Sequence, residues 1–151
     1  MLLGRKYLKG RWDVVDGLRW FSRVSKRADE RGVKFVLVHG LGVSSRYMTP
    51  LACELARAGW DTFVPDLPGF GRSAKPEGVF SVEELAASLR EWLKTVGIEQ
   101  ALLVGNSMGC QVITELAHIE ANQILACAFL GPTMDQFAWS PASHVAGLLW
   151  D

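Results

Sequence analysis

The strongest chemical signal in the sequence is Gly105-Asn106-Ser107-Met108-Gly109. Four apolar residues, Ala101-Leu102-Leu103-Val104, run into it, and a helical pattern starts directly afterwards. A strand that passes into a helix within one residue forces the serine into a strained backbone conformation. Gly105 and Gly109 then lie too close to neighbouring backbone to carry side chains. Such a turn presents Ser107 Oγ above the sheet edge, beside backbone N–H groups and a helix dipole. Those donors suit an alkoxide or a tetrahedral oxyanion. The plainer alternative is a tight strand-to-helix turn with an incidental serine cap.

Elements able to position such a serine stand on both sides of it. Asp16-Gly17 between Val14-Val15 and Leu18-Arg19-Trp20-Phe21 predicts a hairpin, with strands over about 8–15 and 18–24. Lys26 to Gly32 is a charged connector. Lys34 to Val38 is a short β-branched run, read as a buried strand, and it ends in the sharp turn His39-Gly40-Leu41-Gly42. Thr49-Pro50 reads as an N-cap followed by proline in the first turn, with Gly59 closing the helix and Leu51, Leu55 and Ala58 forming its apolar face. Trp60 to Pro65 is the next strand, leading into the turn-rich run Asp66 to Ser73. Ser81 and Glu84 spell a capping box for a helix bearing Leu85, Leu89, Trp92, Leu93 and Val96, ended by Gly97. After the serine strand, about 101–105, comes a helix with Val112, Ile113, Leu116 and Ala117 on one face. Ile124 to Leu130 is another strand, and Trp139 to Trp150 an apolar, helix-like segment.

The order predicts an α/β fold: a mostly parallel, doubly wound sheet with an N-terminal antiparallel hairpin and helices on both faces. Ligands of such sheets bind beyond the C-terminal strand ends, where His39-Gly40 and Ser107 both fall.

Composition narrows the function classes. At 151 residues the chain is one domain's worth, and 49% hydrophobic with 21% charged residues excludes extensive disorder. Sixteen basic and sixteen acidic residues argue against a nucleic-acid or anionic-membrane surface. Cys53, Cys110 and Cys127 are scattered without C-x-x-C spacing, which points to a reducing compartment and no metal site. The N-terminus has no apolar signal-like core, and the longest apolar run is too short to span a bilayer. The expectation is a cytoplasmic protein with no membrane span and no cofactor. Oligomeric state leaves no mark in the sequence.

Three motifs, in order and spacing, make the chain resemble the N-terminal half of an α/β-hydrolase: His39-Gly40-Leu41-Gly42, Asp66-x-Pro68-Gly69-x-Gly71-x-Ser73 and Gly105-Asn106-Ser107-Met108-Gly109. The resemblance implies that Ser107 is the nucleophile and that the N–H of Met108 forms one half of an oxyanion hole. Leu41, or else Gly42, supplies the other half, while His39 and Gly40 shape that loop. Asn106 and Met108 look most like the subset holding small carboxylesterases and C–C bond hydrolases. In this fold, haloalkane dehalogenases and epoxide hydrolases place an aspartate at the elbow. Serine implies acyl chemistry on a small-molecule ester instead, through an acyl-enzyme that water releases.

The family's remaining partners follow the serine in the order acid, then histidine. His118 lies eleven residues along the helix that Ser107 opens, about 16 Å away at 1.5 Å per residue, out of reach. His144 falls where the family begins its cap, in a segment spanning about 137–151. Asp135 stands where some members put their acid. The sequence thus reads as a partial domain, 1–151, without the C-terminal half that carries the triad's base. A non-catalytic protein that binds a ligand or partner is the rival from another class. A dinucleotide-binding module is a second rival, since Gly40-Leu41-Gly42-Val43-Ser44-Ser45 nearly spells G-x-G-x-x-G and Asp66 stands where a ribose-binding acid belongs.

Overall fold

Asp16 and Gly17 both take positive φ, 48° and 77°. That is the backbone a two-residue hairpin turn requires, and it aligns Val15 with Leu18 and Leu8 with Ser25. The computed structural model describes residues 6–25 and 32–132. Within them the elements are β1 (Leu8–Val15), β2 (Leu18–Ser25), β3 (Lys34–Val38), α1 (Thr49–Arg57), β4 (Asp61–Pro65), α2 (Val82–Thr95), β5 (Ala101–Asn106), α3 (Met108–Ile119), a 3₁₀ turn (Ala121–Gln123) and β6 (Ile124–Leu130). Most of the connector 26–32, the segment 139–150, Asp135 and His144 lie outside the described residues.

The strands form one sheet in the order β1-β2-β4-β3-β5-β6. β1 and β2 are antiparallel, and β2 joins β4 antiparallel; β4, β3, β5 and β6 run parallel to one another. The chain leaves β3 for β4 on one side and returns through α2 to β5 on the other. β3 and β5 therefore flank the point where the winding reverses. Such a point opens a crevice at the C-terminal strand ends. Here Val38 pairs with Gly105, so the turns that follow these two residues emerge side by side.

Alternation along the strands divides the core between the two faces. Val36, Val38 and Leu103 pack with Leu85, Leu89 and Trp92 of α2 and Ile113 and Leu116 of α3. Leu37, Val64 and Val104 face Ala52 and Cys53 of α1. Trp20 of β2 stacks on Trp92, centroids 6.0 Å apart, which ties the hairpin to the α2 face.

Two expectations about α1 are corrected. Thr49 is the first helical residue and not the cap; Met48 holds the cap position in αR geometry, with no side-chain cap bond. The reason is that turns through 44–49 (Tyr47 N–H to Ser44 O, Thr49 N–H to Arg46 O) already wind the chain before the helix. Thr49 Oγ1 instead donates to Ser45 O at 3.2 Å. The buried stripe is also rotated: Ala52 and Cys53 are buried, whereas Ala58 is exposed. The α2 capping box is present as expected, with Ser81 and Glu84 bonding each other's backbone N–H.

Candidate active site

The site grows from the register of β3 against β5. One residue past β5, Ser107 holds φ 52° and ψ −121°, outside the regions ordinary residues favour, and α3 starts at Met108. Space explains the flanking glycines. A Cβ on Gly105 would stand 2.6 Å from Gly109 O and 2.7 Å from Cys110 N, and one on Gly109 would press into the carbonyls of Val38 and His39. α3 can therefore lie against β5 and β3 only with hydrogen at both positions. Ser107 itself is half-buried and reachable.

The elbow is tied down by a group that sequence reasoning did not find. The carbonyl of Leu130, at the end of β6, accepts from Ser107 N–H at 3.0 Å, from Asn106 Nδ2 at 3.2 Å and from Cys110 Sγ at 3.7 Å. Cys110 Sγ also reaches Gly105 O at 3.2 Å. A backbone carbonyl has no sequence signature, so only the pairing of β6 with β5 could have pointed to it.

The His39–Gly42 loop arrives beside the serine. A Cβ on Gly40 would lie 3.0 Å from Ser107 Cβ and 3.1 Å from Asn106 O, so glycine is what lets the loop approach. The amides of Leu41, Gly42 and Met108 take no backbone partner among the described residues. His39 is fully buried. Leu67 N–H donates to its Nε2 at 3.1 Å, so the ring proton sits on Nδ1, which donates to Gly40 O at 2.8 Å. Phe70 walls the ring edge-on at 5.3 Å. Burial pushes the His39 pKa below its ordinary value, outweighing the opposing effects of the Gly40 carbonyl and of Asp66. Both ring nitrogens are engaged away from Ser107, so His39 is a neutral strut between two loops.

Asp66 is the hub of the other loop. Its carboxylate accepts from Ser45 N–H at 2.6 Å and from Arg72 N–H at 2.8 Å. Ser73 Oγ donates to Asp66 O at 2.6 Å and accepts from Phe21 N–H at 2.9 Å. These bonds account for the Asp66-to-Ser73 spacing, and they remove Asp66 from the role of a ribose-binding acid. Gly71 has positive φ and lies where any Cβ would collide with the Asp66 carboxylate.

Among the described residues there is no second histidine near the serine. His118 lies exposed in the last turn of α3. Asp135 and His144 lie outside the described residues; among the described residues the structure sets Gly40 against Ser107, with Leu41 and Gly42 following in an exposed turn and no histidine base beside the serine. Among those residues no group of three His, Cys, Asp or Glu side chains could hold a metal ion. No helix among them is long and apolar enough to cross a membrane.

Comparison with known proteins agrees with this fold. Epoxide hydrolase A of Mycobacterium tuberculosis is 32% identical over 113 residues, covering 72% of this chain and 34% of its own length. A human (lyso)-N-acylphosphatidylethanolamine lipase is 34% identical over 97 residues, covering 60% of this chain and 27% of its own. Among solved structures, a bacterial membrane phospholipase A superposes with a TM-score of 0.76 at 26% identity, over 84% of this chain and 40% of that one. A haloalkane dehalogenase of Agrobacterium tumefaciens superposes with a TM-score of 0.78 at 21% identity, over 94% of this chain and 48% of that one, a likeness of fold. The chain thus spans about a quarter to a third of the length of the curated relatives it matches. The family model for the alpha/beta hydrolase fold matches residues 34–150, from the first strand of the parallel sheet onward. On that match, which takes in most of the sequence, the protein belongs to the alpha/beta hydrolase family.

Proposed function

We propose that Ser107 is the nucleophile of a serine hydrolase acting on a small carboxylic ester. The single observation that carries this reading is the backbone of Ser107, held at φ 52°, ψ −121° directly beside the Gly40 loop. In the reaction, Ser107 Oγ bonds to the carbonyl carbon while its proton passes to a base. The carbonyl oxygen gathers negative charge between the N–H groups of Met108 and Leu41, with Gly42 the other loop candidate. Collapse of the tetrahedral adduct expels the alcohol, which takes up the proton, and water then cleaves the acyl-enzyme. The base and its acid come from outside the described residues. Relatives whose names specify epoxides and haloalkanes do not transfer their chemistry, because in this fold those reactions call for an aspartate where this chain has Ser107. The relatives named for phospholipid acyl chains fit a serine and an ester.

A reactive alkyl fluorophosphonate tests the assignment. A strained serine beside oxyanion donors retains part of its reactivity even without a base. Peptide mapping should find one adduct, on Ser107, and none in Ser107→Ala. Labelling shared equally with exposed serines such as Ser81 would refute it.

One observation favours a second reading for the chain taken alone. His39 is engaged on both nitrogens and His118 is remote, which suits a protein that binds an acyl ligand or partner without turning it over.

A further inference from the structure

A cavity of about 870 Å³ lies between the start of β1, β2, the first turn of α1 and the Asp66–Ser73 loop; none of its lining residues belongs to the elbow or to His39–Gly42. Four cations line it, Lys9, Arg23, Arg46 and Arg72, against the carboxylates of Asp66 and Glu54. Both carboxylates already have partners. Glu54 pairs with Arg57 at 2.7 Å, and Asp66 accepts the two backbone N–H bonds described above. The three arginines have no ion-pair partner among the described residues.

Two of these guanidinium groups are held in place. Arg23 and Arg72 lie over the buried ring of Phe21, 5.4 and 4.8 Å from its centroid, a contact that orients a guanidinium plane without using its N–H donors. Arg23 is half-buried, and its Nε is buried with no hydrogen-bond partner. Burial lowers the Arg23 pKa; Asp66 opposes that, and Arg72 and Arg46 reinforce it, so the groups share one field.

The chemistry of a ligand for this cavity follows from its lining. Forked guanidinium donors from several directions, with a lysine nearby, match a tetrahedral dianion better than a planar carboxylate. The first turn of α1 adds the partial positive charge of a helix N-terminus on the same wall. The cavity exceeds the needs of a bare ion and has the size of small-molecule sites, and Leu8, Pro50 and Leu51 give it an apolar side. We propose that this cavity is a second, non-catalytic site that binds the phosphate ester group of a small organic phosphate or of a phospholipid headgroup. It is independent of the role assigned to Ser107.

Calorimetric titration of the 151-residue chain with glycerol 3-phosphate, alongside co-sedimentation with phosphatidylcholine vesicles containing or lacking phosphatidic acid, tests it. Saturable binding of glycerol 3-phosphate, absent with glycerol, is expected. It should weaken about tenfold or more in Arg23→Gln, in Arg72→Gln and in the exposed-site variant Arg46→Gln, and stay unchanged in Arg90→Gln on α2. Vesicle binding that needs phosphatidic acid and fails in the same variants, without binding of the free phosphate, identifies the headgroup as the source. Binding to neither, or binding indifferent to all three arginine variants, would overturn the proposal. Because Arg46 is exposed, an unchanged thermal midpoint in its variant separates lost binding from lost folding.

Discussion

Ser107 and His39 each contribute to the site at a cost to stability. The serine's φ of 52° with ψ of −121° belongs to backbone that only glycine adopts freely, and such residues cost about 1–3 kcal/mol. Ser107→Ala keeps that strain, whereas Ser107→Gly releases it, less the entropy glycine loses on folding. Urea unfolding should therefore find Ser107→Gly more stable than Ser107→Ala by about 1 kcal/mol. Equal midpoints would mean the conformation costs nothing. His39 acts through protons. Its folded pKa is lowered by burial, so the folded chain binds fewer protons there than the unfolded chain does. Stability is then retained at neutral pH and lost as pH falls below about 6.5, at up to about 1.4 kcal/mol per pH unit. Comparing unfolding midpoints at several pH values should show this slope in the wild type and a shallower one in His39→Asn. Parallel slopes would remove His39 from the acid response.

At the scale of elements, strand positions were legible because each strand is a short apolar run bounded by turn residues. Asp16-Gly17, the Ser81–Glu84 box and Gly97 are local chemistry, readable without knowing the fold. The start of α1 was less so: Thr49-Pro50 looks like a cap and a first turn, but the preceding loop is already wound, which no local pattern announces. β6 was legible too, as an apolar strand. Among the described residues only β5 pairs with it, and Leu125, Phe129 and Leu130 stand 49%, 48% and 40% exposed. An open edge with apolar side chains templates association. Sedimentation velocity over a tenfold concentration range should show self-association in the wild type, reduced in Leu125→Lys and Phe129→Lys. A monomer at every concentration would contradict this.

At the scale of the molecule, the site divides into a part written locally and a part that is not. Gly105 to Gly109 announce the elbow because steric exclusion acts within five residues. That Gly40 meets Ser107 follows from the register of two strands whose paired residues stand 67 apart in the chain, which the order of motifs implied and only the sheet displays. The Leu130 carbonyl and the Arg23–Arg46–Arg72 cluster are products of tertiary placement, and no spacing in the sequence marks them. The same division governs activity. Of the three histidines, His39 is a strut and His118 is remote, which leaves His144, outside the described residues, as the one other candidate base in the sequence. On the role proposed for Ser107, a serine with oxyanion donors but no base retains about 10³–10⁴-fold acceleration over water, against about 10⁹–10¹⁰ for a complete triad. The 151-residue chain should therefore hydrolyse p-nitrophenyl butyrate only at the residual level, and His144→Ala and Asp135→Asn should leave that rate unchanged. Rapid turnover lost in both Ser107→Ala and His144→Ala would instead make His144 the base and the chain self-sufficient.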